Sequence, residues 1–396
     1  MVRVNVLTPW YPDADLGHMY SGIFVHQQVK ALQNKGIDVS VEVPKRHKHY
    51  VKEIPRGLFT EIENLAFQNP ESFFRYSHGA SYVPYLTTAR ASMVEQVSSM
   101  ERALALKRKA MPTCSDINHV HVALPIAPAL NRISSDPMII TEHSSHVIKD
   151  CQTPDVAEMY RQTIEAASSF ICVSSFLQKQ ISETLNMQIG PKWKVVPNIV
   201  DFDLFPFRKR SVNRCRSWIY VGALYESKGV AKLLKTFQHF KSYSDSDATL
   251  TLIGKGPLQQ WITRYANKHG ISNSVTIREP KFQKDIADCF CEADLMVHLS
   301  PFETFGLVSL EAIASGLPVV SLNNGGSEET WAELSNLCGL HLEVDSSFDE
   351  ISMEISAWRD SNIELNIAEA SKELRKRFSA ESVYTQLSEI YASVVK

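Results

Sequence analysis

The chain alternates between a strand period and a helix period, and it does so twice. Arg3 to Thr8 sets Val4 and Val6 among polar neighbours at period two. After a loop with Pro9, Pro12 and Gly17, the residues Ile23, Val25, Val29 and Leu32 recur near the helical period as far as Gly36, and Val39 to Val43 returns to a strand. Strand, helix and strand in close succession build a parallel sheet with helices on its faces. Further strand candidates follow at Ile117 to Ala123, Met138 to Thr141, Phe170 to Val173 and Lys194 to Val196. Between Pro197 and Ser211 the period is lost, and Pro206 with the basic run Arg208-Lys209-Arg210 marks an interdomain linker. The alternation then restarts. Ser217 to Val221 is a strand, Val230, Leu233, Leu234, Phe237 and Phe240 form a helical face, and Thr249 to Ile253, Val275 to Arg278, Leu295 to Leu299 and Val319 to Leu322 are strands. The expected class is α/β, two doubly wound parallel-sheet halves facing a cleft, with ligands beyond the carboxyl ends of the strands.

A length of 396 residues suits two cores better than one, and 44% hydrophobic with 21% charged residues is a globular composition. The net charge of -3 gives no general attraction to nucleic acid or anionic lipid. Seven Cys, an odd number without C-x-x-C spacing, argue against both a disulfide framework and a zinc site, and favour a reduced, cytoplasmic compartment. The first residues lack the pattern of a signal peptide, and no apolar run is long enough for a transmembrane helix. Tyr50 to Met111 is the least patterned stretch; it ends in the basic helical segment Lys107-Arg108-Lys109-Ala110-Met111 and is the expected place for an acceptor site.

Chemistry concentrates in the segment from Ser300 to Pro318, which reads strand, loop, helix, stop. Gly306 lets backbone approach a ligand where the helix begins, and the free amides of that helix start suit a diphosphate. Leu307 to Ala314 is apolar nearly all round, so the helix is expected to be buried, and Glu311 within it must find partners. Helical side chains lean towards the N-terminus, which turns Glu311 back to the opening left by Gly306; Glu303 lies in the preceding loop.

Glu303 and Glu311 resemble the E-x7-E signature of the retaining GT-B glycosyltransferases of family 4. The resemblance extends to Val195 to Asp201 with Phe205, Gly222 with Lys228-Gly229, Gly254 to Pro257, Gly325-Gly326 with Glu329, and, in the first half, to Gly22, His121 and Thr141-Glu142-His143. It implies two Rossmann-like domains: an acceptor-binding domain over residues 1–205, a nucleotide-sugar-binding domain over 206–378, and a C-terminal helix, 379–396, packing back on the first. It also implies a donor site in which Lys228 holds the phosphates, Glu311 the ribose and Glu303 the hexose, with Phe305, Gly306, Leu307 and Gly22 contributing. Glu303, His143 and Lys228 would carry catalysis, His143 as the sugar contact of the first domain. No metal and no cofactor is implied, only a nucleoside diphosphate sugar as co-substrate, a glycan or lipid-linked glycan as acceptor, and a place in cell-surface polysaccharide synthesis. Family members often carry Arg where this chain has Ala223, so Lys255 and Lys281 stand as substitute cations; Ala127 replaces a usual glycine.

Blander readings stand beside these. Glu303 and Lys228 could be a helix cap and a solvated lysine, and His143 a structural histidine. His119 and His121 share a strand face, which is metal geometry in principle, but no carboxylate or Cys sits at matching spacing. Lys45 to His49 and the segment through Arg102, Lys107, Arg108 and Lys109 read as solvated surface, with contact at the inner face of the cell membrane as the minority reading. Two other functions stay open: a non-catalytic nucleotide-sugar-binding subunit, or a glycoside hydrolase or phosphorylase using the glutamate pair. The sequence leaves the oligomeric state unknown.

Overall fold

The computed structural model describes residues 2–12, 22–49, 56–77, 79–209, 215–361 and 364–395. Gly17, Tyr50, Arg210 and Ser211, invoked above, lie outside them. The chain forms two compact units, residues 1–197 with 383–396 and residues 198–382.

The first unit is built on eight strands: β1 (Arg3–Leu7), β2 (Asp38–His49), β3 (Tyr76–Ser77), β4 (Ala80–Thr88), β5 (Ile117–His121), β6 (Met138–Glu142), β7 (Ser169–Cys172) and β8 (Trp193–Val195). They lie in the order β3-β4-β2-β1-β5-β6-β7-β8, parallel except for β3 against β4. Every residue of β5 and β6 is buried, as expected of central parallel strands covered on both faces, although Asn118, His119, His121 and Glu142 are polar. Such side chains must bond to one another inside the protein. The strand β2 runs six residues beyond the Val43 end read from the sequence because β4, which the sequence reading did not find, pairs with it from Glu42↔Ser81 to His49↔Thr88. Pro44 and Pro84 interrupt the amide ladder of this pair, which is why its pattern is weak.

Helix α1 (Ile23–Asn34) follows β1, and α2 (Arg56–Gln68) and α3 (Met93–Ala110) flank the β2–β4 pair. The last of these opens with a reciprocal cap, in which the Glu95 amide donates to the Ser92 hydroxyl and the Ser92 amide to the Glu95 carboxylate; it closes on Lys107, Arg108 and Lys109, a charge order that suits the helix dipole.

The second unit holds β9 (Ser217–Val221), β10 (Thr249–Ile253), β11 (Val275–Arg278), β12 (Leu295–His298), β13 (Val319–Leu322) and β14 (Gly339–Leu342), all parallel, in the order β11-β10-β9-β12-β13-β14. Helix α4 (Val230–Tyr243) buries Leu233, Leu234, Phe237 and Phe240 against Trp218 and its neighbours. The next helix that bears on the site is α5 (Leu307–Ala314). Residues 198–205, read as linker, fold onto this unit: Ile199, Val200, Phe202 and Phe205 are buried, and the Phe205 ring lies 5.8 Å from Phe290. The C-terminal helix α6 (Ala380–Val394) buries Val383, Leu387, Ile390 and Tyr391, and from Val383 onward it belongs to the first unit. Among the described residues no helix is long and apolar enough to cross a membrane.

Candidate functional site

In the second unit the polar groups gather where β9 and β12 end. Lys228 closes a single turn of 3₁₀ helix after β9, and Gly229 behind it adopts φ 67°. A Cβ on Gly229 would lie 1.8 Å from the Leu299 carbonyl oxygen, so only glycine lets this turn press against the chain leaving β12. That approach brings Lys228 Nζ to 2.7 Å from Glu303 Oε1. Glu303 is itself fixed by backbone: its amide donates to the Asn324 carbonyl and its carbonyl accepts from the Gly326 amide, which joins the loops after β12 and β13.

Burial pushes the Glu303 carboxyl up, but Lys228, His298 and the hydrogen bonds from Lys228 and Ser300 together outweigh it and hold it below its ordinary range. It is therefore a carboxylate at neutral pH. His298 Nε2 lies 3.8 Å from Glu303 Oε1, and its ring stacks on Tyr220 with centroids 5.6 Å apart and planes 7° from parallel. Burial keeps this imidazole neutral, and its Nδ1 finds no partner among the described residues. His298 and Tyr220 are site residues the sequence reading missed. The available signal was a lone histidine at the carboxyl end of an otherwise apolar strand, where ligands of such sheets bind.

Gly306 opens α5 in the left-handed region, φ 79°, with Ser327 Oγ 2.5 Å from where a Cβ would stand. The amides of Leu307 and Val308 begin the helix and have no intrahelical acceptor, which makes this end a site for negative charge. Phe305 is buried edge-on against Phe378, 5.5 Å between centroids. Close by, the hydroxyls of Ser309 and Ser327 are buried without partners among the described residues. Glu311 is 3% exposed and accepts a hydrogen bond from Gln283 Nε2 at 2.8 Å. Burial raises its carboxyl to about 8, against the pull of the Gln283 bond and with a further push from Asp201. The partner that this buried glutamate demands is thus an amide, and the carboxyl is protonated at neutral pH. Lys228, Glu303 and the Gly306 helix start come together; Glu311 turns to Gln283 instead.

Ala223 presents only backbone: its carbonyl accepts from the Tyr220 hydroxyl at 3.0 Å. Of the two substitute cations, Lys255 is engaged with Glu279 at 2.9 Å.

In the first unit, His121 and His143 share a hydrogen bond of 2.9 Å between Nδ1 and Nε2. His119 stacks on His121, 4.3 Å between centroids, and bonds through its two nitrogens to the hydroxyls of Tyr391 and Thr141, each at 2.7 Å. Burial lowers His119 to about 3 and, with the neighbouring His119 and His143, holds His121 well below its ordinary value, so both rings are neutral. Glu142 beside them is raised by burial despite bonds from Tyr160 and from the amides of Ser144, Ala123 and His143. Val122 has φ 65°, a strained conformation for a β-branched residue, right after His121. Gly22 caps α1 at φ 68°, with the Trp10 carbonyl oxygen 2.1 Å from any Cβ, and Phe24 lies 4.4 Å from the His143 ring. Among the described residues no three His, Cys, Asp or Glu side chains converge as metal ligands.

Residues 203–380 match the family described as Glycosyl transferases group 1, and residues 21–204 match Glycosyltransferase Family 4. The chain is 27% identical over 344 residues to the glycogen synthase of Mycobacterium tuberculosis, covering 83% of this chain and 80% of the relative. It is 26% identical over 329 residues to the N-acetyl-alpha-D-glucosaminyl L-malate synthase of Bacillus anthracis, covering 80% and 81%. Among solved structures it resembles the sucrose-phosphate synthase of Thermosynechococcus elongatus, with a TM-score of 0.76 at 18% identity over 100% and 99% of the two chains. It also resembles HepE of Anabaena, solved in complex with UDP and glucose, with a TM-score of 0.67 at 17% identity over 99% and 100%.

Proposed function

The chain belongs to the group 1 and family 4 glycosyltransferases, and on that premise we propose what it transfers and how. It moves a sugar from a nucleoside diphosphate sugar to a hydroxyl of a glycan or lipid-linked glycan, with retention of anomeric configuration and without a required metal, in cell-surface polysaccharide synthesis.

The observation that carries this reading is the Lys228–Glu303 pair beside the helix start at Gly306. In the reaction the bond from the anomeric carbon to a diphosphate oxygen breaks, and a bond to the acceptor oxygen forms. The diphosphate departs with the bonding electrons, and the acceptor's proton passes to it. Lys228 and the amides of α5 stabilise the charge that develops on the diphosphate. Glu303, kept ionised by its surroundings, accepts hydrogen bonds from hexose hydroxyls and orients the ring. Glu311 receives the ribose. In the first unit Gly22 is assigned to the donor and His143, held by His121, to the transferred hexose.

A thermal-shift screen of UDP, GDP and ADP and their sugars tests the donor assignment, since a ligand that binds only the folded state raises its melting temperature with concentration. Transfer at wild-type rates by both Lys228→Ala and Glu311→Ala sinks the site assignment. Ala223 and the engagement of Lys255 by Glu279 favour a second reading, a nucleotide-sugar-binding subunit without turnover. Tight nucleotide binding with no transfer to any acceptor would select it. The hydrolase reading is disfavoured because Glu311 is buried and bonded to Gln283 rather than open to a glycosidic oxygen, and sugar release from unactivated oligosaccharides would revive it.

A further inference from the structure

The strand β2 does not stop where its neighbour does. Arg3 to Leu7 of β1 pair with Asp38 to Glu42, so Val43 to His49 run on past the carboxyl edge of the central strands. Pairing with β4 turns this overhang into a two-stranded ribbon. The ribbon rises from the edge at which β5 and β6 end in His121 and Glu142, with His143 following.

Helix α3 lies along the ribbon, tied to it where the Ser99 hydroxyl donates to the Leu86 carbonyl, and α2 borders the remaining gap. The space between ribbon and helices is a cavity of about 450 Å³, inside the roughly 300 to 1,000 Å³ range of small-molecule sites. Ile62, Phe73, Leu86, Ala103 and Leu106 give it apolar walls. Its polar groups are His47, Tyr85, Arg102, Ser99 and Glu63, and the ribbon strand that supplies His47 reads Lys45-Arg46-His47-Lys48. The α2 side chains Leu65 and Phe67 are 57% and 53% exposed, so apolar surface continues outside the cavity.

We infer that this cavity holds the apolar chain of the acceptor, and that the chain is joined to its head through an acidic group that meets the basic ribbon. The inference rests on the reading of the acceptor as lipid-linked and gives it a place. A free oligosaccharide is a poor occupant, because its hydroxyls would lose water against walls that offer them few hydrogen bonds. An alkyl or isoprenoid chain loses nothing there and gains by leaving water. On the cavity wall Arg102 and His47 stand against Glu63, the one carboxylate among the wall residues described, and that pair favours an anionic link over a neutral one.

The test uses the whole chain without donor, and monomeric octyl phosphate, decyl phosphate, decyl glucoside and inorganic phosphate as calorimetric probes. Decyl phosphate should bind roughly tenfold more tightly than octyl phosphate, as two further methylenes leave water. Inorganic phosphate should not compete. Ala103→Trp, which fills the cavity, should weaken decyl phosphate at least about tenfold. Arg102→Gln should erase the preference for decyl phosphate over decyl glucoside. A photoreactive decyl phosphate should label peptides of α2, β4 or α3, an outcome that does not depend on any variant folding. Equal affinity for the two chain lengths, unchanged binding by folded Ala103→Trp, competition by inorganic phosphate, or labelling elsewhere overturns the inference. Nucleotide affinity is measured in parallel: if it is normal while alkyl phosphates fail, this inference falls alone, and if the wild-type chain binds no nucleotide, the proposed function falls with it.

Discussion

Lys228 and Glu303 face each other at 2.7 Å from loops that follow two adjacent strands, β9 and β12. Lys228 helps hold Glu303 in its charged form, so on the proposed reading a diphosphate sugar meets a cation and a hydrogen-bond acceptor already in place. Lys228→Ala should lower kcat/KM by about 10- to 150-fold, the equivalent of one charge-assisted hydrogen bond. Glu303→Gln should cost a similar factor, and the double variant less than the product of the two, because removing either partner already disrupts the pair. Steady-state kinetics of the four proteins decide it; a fully multiplicative double variant would mean that the residues act separately.

The other glutamate of the motif shifts the opposite way, and stability should report it. Unfolded Glu311 gives up its proton near 4.5, whereas burial holds it in the folded state to about 8. Between those values the folded chain binds the extra proton, so the stability Glu311 contributes is complete below about pH 4.5 and is lost as pH rises towards 8. Glu311→Gln keeps the acceptor for Gln283 and has no proton to lose. It should be more stable than wild type above about pH 8, by on the order of 2 to 4 kcal/mol, with the difference vanishing near pH 4. Urea titrations across that interval measure it.

The same protonation state bears on the donor. Ribose hydroxyls that donate to Glu311 favour its carboxylate, so nucleotide binding near neutral pH should release up to one proton. Calorimetry in buffers of differing ionisation enthalpy should show that release in the wild type and its loss in Glu311→Gln. Equal proton counts for the two would detach the ribose from Glu311.

How far the site could be read beforehand depends on where each residue's partner lies in the chain. Strands β9 to β13 of the second unit and the span of α5 follow from local pattern, whereas the edge strand β14 was not read; Glu311 was marked by local reasoning too, as a charge in an apolar helix. Its partner was not, since Gln283 sits 28 positions away in another helix and nothing near it in sequence announces the contact. His298 shows the same limit, because its meaning comes from Glu303 and Tyr220, which only the sheet brings beside it. In the first unit β4 escaped because Pro84 and a partner four tens of residues earlier, rather than alternation, define it. Residues 198–205 lost their period through folding around the second core, not through being linker.

Two glycines should differ sharply in what they tolerate. Both Gly229 and Gly306 have left-handed φ, so alanine at either costs about 1 to 2 kcal/mol in backbone strain. At Gly229 the added Cβ meets a backbone oxygen, which cannot move without displacing the start of the Glu303 loop. At Gly306 it first meets the Ser327 hydroxyl. Gly229→Ala should therefore be the more destabilising and should also weaken nucleotide binding, whereas Ser327→Ala should recover part of the stability lost in Gly306→Ala. Thermal melts of the single and double variants give the order.

Tyr391 reaches His119 from the last helix of the chain, and that bond makes the C-terminal segment a support for the histidines of the first unit. Tyr391→Phe keeps the ring and removes the hydroxyl, leaving His119 Nδ1 buried without a partner. The expected cost is about 1 to 3 kcal/mol. Acid should expose the same cluster. Unfolded His119 takes up a proton near 6.5 and the folded ring only near 3, so the stability it contributes is present above pH 6.5 and falls as pH drops through that interval. His121 shifts in the same direction and steepens the loss. Replacing His119 by Gln should flatten the dependence of stability on pH between about 6.5 and 3 by on the order of one proton. An unchanged slope would mean that His119 is not held neutral in the folded chain, and the bonds from Tyr391 and Thr141 would then need a charged ring between them.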